Sequence, residues 1–150
     1  RARAAAKVER ASIRARKEAI KTIAQLIADA QIVFNAFIRE RDKGKGCFVC
    51  CRPFTDKPGQ VQHAGHARSR GAAGHLRFNE DNCMGECEGC NGPHGAKPHQ
   101  IEAGAIARIG AERYAALCAD NTPHKWQRDE LIAIKHEYRA KLKELKGRTC

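Results

Sequence analysis

Residues 62–71 read QHAGHARSRG, and residues 87–95 read CEGCNGPHG. His63 and His66 stand three apart ahead of a short basic run, while Cys87 and Cys90 form a CxxC pair followed at once by Asn91. A second CxxC, Cys47 and Cys50, lies upstream in GKGCFVCC (44–51). Each CxxC bends its backbone so that both sulfurs face one ion, and two of them supply the four thiolates of a tetrahedral Zn²⁺ site. A redox CxxC would not explain two knuckles. The loop between them is longer than in a short zinc ribbon, so it houses something. A site closed by four thiolates leaves no position for water. Any chemistry must therefore come from the histidines and asparagines in and beside that loop. Cys51 and Cys83 are surplus thiols, and neither Cys118 nor Cys150 is given a role.

Composition narrows the partners. The 150 residues carry 28 Lys and Arg against 17 Asp and Glu, a formal charge of +11. Such a field attracts polyanions and speeds encounter with them. Nucleic acid is the partner to expect, against the plainer reading of a generally basic soluble protein. There is no run of about 18 apolar residues, so no transmembrane helix is expected, and an anionic membrane ranks below nucleic acid. The amino end lacks the apolar segment of a secretory signal. Paired cysteines flanked by cysteine-poor helical patterns point to a reducing, intracellular compartment. Only Trp126, Tyr114, Tyr138 and five phenylalanines are aromatic and many apolar residues are alanine, so large side chains to fill one core are scarce. A metal staple or an oligomer interface is thus expected to contribute to stability.

The expected fold class is α+β, mostly α, in three parts. Residues 1–43 contain no Gly, Pro or Cys and read as one long basic amphipathic helix. Ile13, Ile20, Ile27 and Phe34 recur every seven residues, an a/d stripe that can pack on the chain or on a second copy. Its first half, RARAAAKVERASIRARK, is either a solvated charged face or a helix resting on phosphates. Residues 44–100 form a loop-rich metal-binding module with short strands expected around CFVCC and PGQVQHAGH. Residues 101–150 return to helix. IEAGAIARIGAERYAALC reads as one helix, weakened at Gly104 and Gly110 by about 1 kcal/mol each. After the Asn121-Thr122-Pro123 break, Leu131, Ile134, Tyr138, Leu142 and Leu145 mark a last amphipathic helix, with Gly147 as its stop signal.

The order of parts, CxxC, HxxH, Asn82, then CxxC with Asn91 directly behind it, resembles the HNH, or ββα-metal, endonucleases. GKGCFVC, AGHARSRGAAGHLRFNEDNC, CEGCN, ARIG and HKWQRDELIAIKHEYRAKLKEL together resemble the NinG/Rap recombination proteins of lambdoid phages, from about Phe34 to Leu145. The resemblance implies a zinc-stapled HNH-like nuclease module that cuts branched DNA such as Holliday junctions and D-loops. It also implies phage origin and a place in the bacterial host cytoplasm. Charge and periodicity say nothing about branch shape.

Roles carry over residue by residue. The resemblance implies that His66 is the general base and that Asn82 steadies the hairpin. His63 and Asn91 would hold a catalytic divalent ion, Mg²⁺ or Mn²⁺. Arg68, Arg70 and Arg77 are candidates to grip flanking phosphates, since a planar guanidinium matches phosphate oxygens in pairs. His94 could add a ligand; His75 and His99 are unassigned. One departure stands out: the family usually has an aspartate where this chain has His63. An imidazole suits Mn²⁺, Ni²⁺ or Zn²⁺ better than Mg²⁺, so either metal preference shifts or the site is impaired. A homodimer is expected from the near two-fold symmetry of a four-way junction, through the heptad stripe or the last helix. Two rivals remain: a catalytically silent zinc module that binds DNA, and a scaffold that recruits a protein partner.

Overall fold

The computed structural model describes residues 2–148. The expected first helix is two. α1 (Ala2–Ala19) and α2 (Ile23–Arg41) are separated at Thr22, whose hydroxyl accepts the Gln25 N–H while Gln25 Oε1 accepts the Thr22 N–H. That reciprocal capping box supplies a fresh helix start, so the break costs little. The heptad stripe is broken with it. Ile13, Ile20 and Ile23 are exposed, whereas Ala30, Phe34 and Phe37 are buried inside the chain.

What buries them is α6 (Arg128–Gly147). Leu26, Ala30, Phe34 and Ile38 of α2 pack with Leu131 and Tyr138 of α6, and Phe78 joins from the loop region. Phe34 meets Tyr138 edge-on with ring centroids 4.7 Å apart, and Phe78 meets Trp126 at 5.0 Å. Edge-to-face pairs at this spacing add to simple area burial. Both surfaces offered as dimer interfaces are thus largely used on each other. Ile13, Ile20 and Ile23 of the stripe stay outside that contact, and the structure lends the homodimer expectation no support. Gly147 lies within α6, which is capped at Arg148.

The middle of the chain contains a two-stranded antiparallel hairpin, β1 (Gln62–His66) with β2 (Cys83–Cys87), in the register His63↔Glu86 and His66↔Cys83. CFVCC is not a strand. It is a tight turn in which the Cys51 N–H reaches the Cys47 carbonyl at 2.9 Å and Cys51 itself adopts φ +60°. β2, where the sequence reading placed no strand, is buried along its whole length. A 3₁₀ turn (Gly74–Leu76) lies in the connecting loop, and α3 (Glu88–Asn91) follows β2 directly.

The expected 101–118 helix also divides. α4 (Pro98–Ile109) ends at Gly110, where φ is +89°, and α5 (Ala111–Ala119) starts beyond it. A left-handed φ is one that glycine adopts freely. Gly104 stays helical for a different reason. A side chain there would overlap the Phe48 carbonyl oxygen, so its absence lets α4 close on the first cysteine turn.

Asp42, at the end of α2, ties this helix to the hairpin. Its buried carboxylate accepts from Arg41 (2.8 and 2.9 Å), Lys45 (3.0 Å) and the Gly85 N–H (2.8 Å). Arg41 continues the link by donating to the Glu80 and Cys83 carbonyls at 2.9 and 2.8 Å. Burial opposes ionisation of Asp42, but these donors, Arg41 foremost, bring its pKa down to about 2.

Two expectations follow for stability. Gly104→Ala should lower the thermal midpoint even though alanine favours helix by about 1 kcal/mol, because overpacking against backbone costs about 1–3 kcal/mol. Asp42→Asn should cost about 2–3 kcal/mol at pH 7. The folded pKa lies below the unfolded one, so this contribution is full above about pH 4 and is lost as pH falls toward 2. Urea titrations of the two proteins should therefore converge in acid.

Candidate active site

The cysteines predicted to form a staple do come together. The sulfurs of Cys47, Cys50, Cys87 and Cys90 all lie within 4.8 Å of one another. Cys50 and Cys87 Sγ are 3.7 Å apart, far too long for a disulfide. With Zn–S bonds near 2.3 Å, a tetrahedral site needs sulfurs about 3.8 Å apart. The cluster fits that ion. Burial pushes the Cys47 thiol up, and the nearby backbone N–H groups of Cys50, Cys87 and Val49 oppose that rise. Burial raises the Cys50 thiol, but the Arg52 guanidinium, 3.4 Å from its sulfur, helps bring its pKa down to about 6. Cys51 and Cys118 are exposed and Cys83 is buried, all apart from the cluster; Cys150 lies outside the described residues.

The hairpin places the histidines. His66 closes β1, and its Nε2 sits 2.9 Å from the Arg77 carbonyl. A carbonyl can only accept, so Nε2 carries the proton and Nδ1 keeps its lone pair. Nδ1 faces the Cys83 Sγ at 3.9 Å, and burial raises that thiol to about 12, so it stays neutral. Burial holds the His66 ring below its ordinary pKa; the Arg77 carbonyl opposes this, and the charges of Arg70 and Arg77 add to it. At neutral pH the ring is an uncharged base.

Asn82 is wholly buried. Its Oδ1 accepts the Arg68 N–H at 2.8 Å, and its Nδ2 donates to the Arg68 and Leu76 carbonyls at 3.0 and 3.2 Å. The amide thereby closes the loop that leaves His66 and returns to β2. Because α3 follows β2 without a linker, Asn91 comes back toward β1, and its side-chain nitrogen is 3.4 Å from His63 Nδ1. Rotating the amide would turn Oδ1 toward the same point, since amide orientation is assigned from the bonding pattern.

His63, His66, Asn91 and Arg70 line one cavity of about 460 Å³, with Asn35 and Arg39 of α2 forming part of its wall. Sequence reading missed those two. On α2 they look like any other polar residues facing solvent, and only the packing of the hairpin against α2 gives them a site to line. Gln62 fixes this wall by donating to the Arg39 carbonyl at 3.0 Å.

Two of the expected phosphate contacts do not reach this cavity. Arg68 donates to the Leu117 and Asp120 carbonyls, both at 2.6 Å, and to Asn121 Oδ1 at 2.8 Å. It satisfies the carbonyl end of α5, a structural duty that turns its guanidinium away from the cavity. Arg77 turns toward Gln31 at 3.3 Å and has a buried Nε with no partner. His94 is also elsewhere, in a separate cavity of about 520 Å³ shared with Cys50, Cys90 and His99. His75 bonds to the Asp120 carbonyl at 2.8 Å. Glu86 stands opposite His63 in register, but its carboxylate covers Gly65 and not the cavity, so it does not replace the missing aspartate.

Purified protein should contain about one zinc per chain by metal analysis. Stripping it should unfold the hairpin, because the energy of closing such a site is folding energy. Cys87→Ser should bind zinc more weakly and lose dispersion of the His63 and His66 NMR signals.

Comparison with known proteins adds the family. A family model described as Bacteriophage Lambda NinG protein matches residues 1–148. The protein called ninG of Escherichia phage lambda is 38% identical over 137 residues, covering 90% of this chain and 64% of that protein. The ninG protein of Salmonella phage P22 is 37% identical over 134 residues, covering 89% and 64%. The corresponding protein of Escherichia phage 933W is 36% identical over 137 residues, covering 90% and 65%. The chain therefore spans just under two thirds of the length of these relatives. No solved structure matches it. Among the described residues no helix is long and apolar enough to cross a membrane. With the match running across all but its last two residues, the chain belongs to the NinG family of phage proteins.

Proposed function

We propose that this chain is a metal-dependent endodeoxyribonuclease of HNH-like type, acting on branched recombination intermediates. The supporting observation is that His66, His63, Asn91 and Arg70 share one cavity. His66 Nδ1, unprotonated because Nε2 holds the proton toward the Arg77 carbonyl, exchanges its long 3.9 Å Cys83 thiol contact for the attacking water and takes its proton. The Asn82 bonds hold the Ala67–Arg68 backbone and so fix the ring's direction. Arg70 and Arg39 hold phosphate oxygens on either side of the reacting one. His63 and Asn91 are the residues that would hold a divalent ion, whose chemistry is to stabilise charge growing on the non-bridging and leaving oxygens. With an imidazole in place of the usual carboxylate, this donor pair favours Mn²⁺ over Mg²⁺. Preference for branched DNA rests on the family resemblance alone.

The His63 substitution also favours a second reading, a zinc-stapled DNA-binding protein without catalysis. Labelled four-way junction, D-loop and plain duplex, each incubated with Mg²⁺ or Mn²⁺, separate the two. The nuclease reading expects cutting of branched DNA, faster with Mn²⁺. His66→Ala should bind within about twofold of wild type yet cut about 10²–10⁴ times more slowly. The rate should rise with pH through a midpoint below the ordinary histidine value of about 6.5 and then level off. Binding by wild type without cutting under either metal leaves only the second reading.

A further inference from the structure

We propose that α1 is a duplex-DNA arm that grips phosphates away from the cavity. It rests on DNA being the substrate, but not on catalysis. Arg3, Lys7, Arg10, Arg14 and Lys17 recur at steps of four, three, four and three residues. At 3.6 residues per turn those steps keep all five on one face, along about 21 Å of helix axis. Duplex DNA carries about twelve phosphate charges over the same length.

Each of the five is exposed, and none makes an ion pair among the described residues. Several cations at the helix junctions and around the hairpin are differently placed. Lys21, Arg41, Lys135 and Lys141 all bind carboxylates. A row of unneutralised charges stabilises nothing in the fold, so its complement is an external polyanion.

The arm has a fixed root. Arg128 of α6 donates to the Glu18 and Lys21 carbonyls at 3.3 and 2.5 Å, and Lys135 binds Glu18 and Asp29 at 3.2 and 2.8 Å. Cations continue across this junction, where Arg14 shares a cleft of about 470 Å³ with Lys135 and Arg139, and with the Glu18 that Lys135 binds. From the start of α2 to Arg39 at the cavity the chain rises about 24 Å. Bound DNA would therefore be held at two separated places.

Other occupants fit less well. A second copy would set like charges face to face. A membrane surface needs one apolar face opposite the cations. α1 has only Val8 and Ile13 exposed as large apolar groups, at 69% and 44%, and five residues apart they point to different sides.

The test measures binding of a 30-base-pair fluorescent duplex at several salt concentrations, without divalent metal, for the zinc-loaded protein. Lys7→Gln/Arg10→Gln/Arg14→Gln should lower affinity at 100 mM salt roughly tenfold or more and flatten the log–log salt slope by about 2.7. Arg16→Gln/Lys57→Gln/Lys125→Gln removes the same charge off the stripe and should flatten it by less than about 1. Circular dichroism should show both variants as helical as wild type. Equal losses in the two triples, or no loss in the first, would overturn the arm. A stripe variant that loses affinity for anionic phospholipid vesicles but not for duplex would overturn it as well. Absence of salt-dependent binding by wild type would instead sink DNA as the substrate, whereas cleavage failure with the slopes as expected leaves the arm standing.

Discussion

Four sulfurs drawn to within 4.8 Å of one another are the constraint on which this fold turns. A hairpin of two five-residue strands is marginal in water by itself. Here Cys87 ends β2 and Cys90 lies in α3, so the cluster that joins them to the Cys47 turn clamps one end of the hairpin. Asn82 and the Arg41–Asp42 pair clamp the other, through bonds to backbone on both sides. Between the clamps, His63 and His66 have little freedom. Their positions come from the staple, not from any large core around them.

Some of this was legible in the chain itself. Two CxxC pairs predict the sulfur cluster, because the spacing is a geometric demand that few other structures make. The apolar positions of α2 and α6 are equally plain, and each helix uses the other as its partner. Less legible was where helices stop. Thr22 and Gly110 end helices whose apolar pattern runs on past them, since a capping box and a left-handed glycine act locally and leave periodicity intact. β2 was hidden for another reason. CMGEC is buried on both faces, so it lacks the alternation that marks a half-exposed strand.

At the cavity, residue type predicted membership better for the imidazole and amide side chains than for the cations. His63, His66 and Asn91 converge, yet of three arginines on the loop only Arg70 lines the cavity. Arg68 is drawn off by the exposed carbonyls of α5, which no local sequence pattern reveals because its partners lie some fifty positions later. Arg39 enters from α2 in its place. The charges include a small set at the cavity, a paired set that holds α2 to the hairpin and α6, and a regularly spaced unpaired row on α1.

The central proposal is that His63 and Asn91 hold one divalent ion beside the His66 base. Paramagnetic NMR is its most direct test: Mn²⁺ titrated into zinc-loaded, isotope-labelled protein broadens nuclei near the ion. The account predicts that the His63 ring and the Asn91 side-chain amide broaden first, with His66 close behind, while Asp42 and Glu80 stay sharp. Selective broadening at those carboxylates, with His63 and Asn91 unaffected, would contradict it.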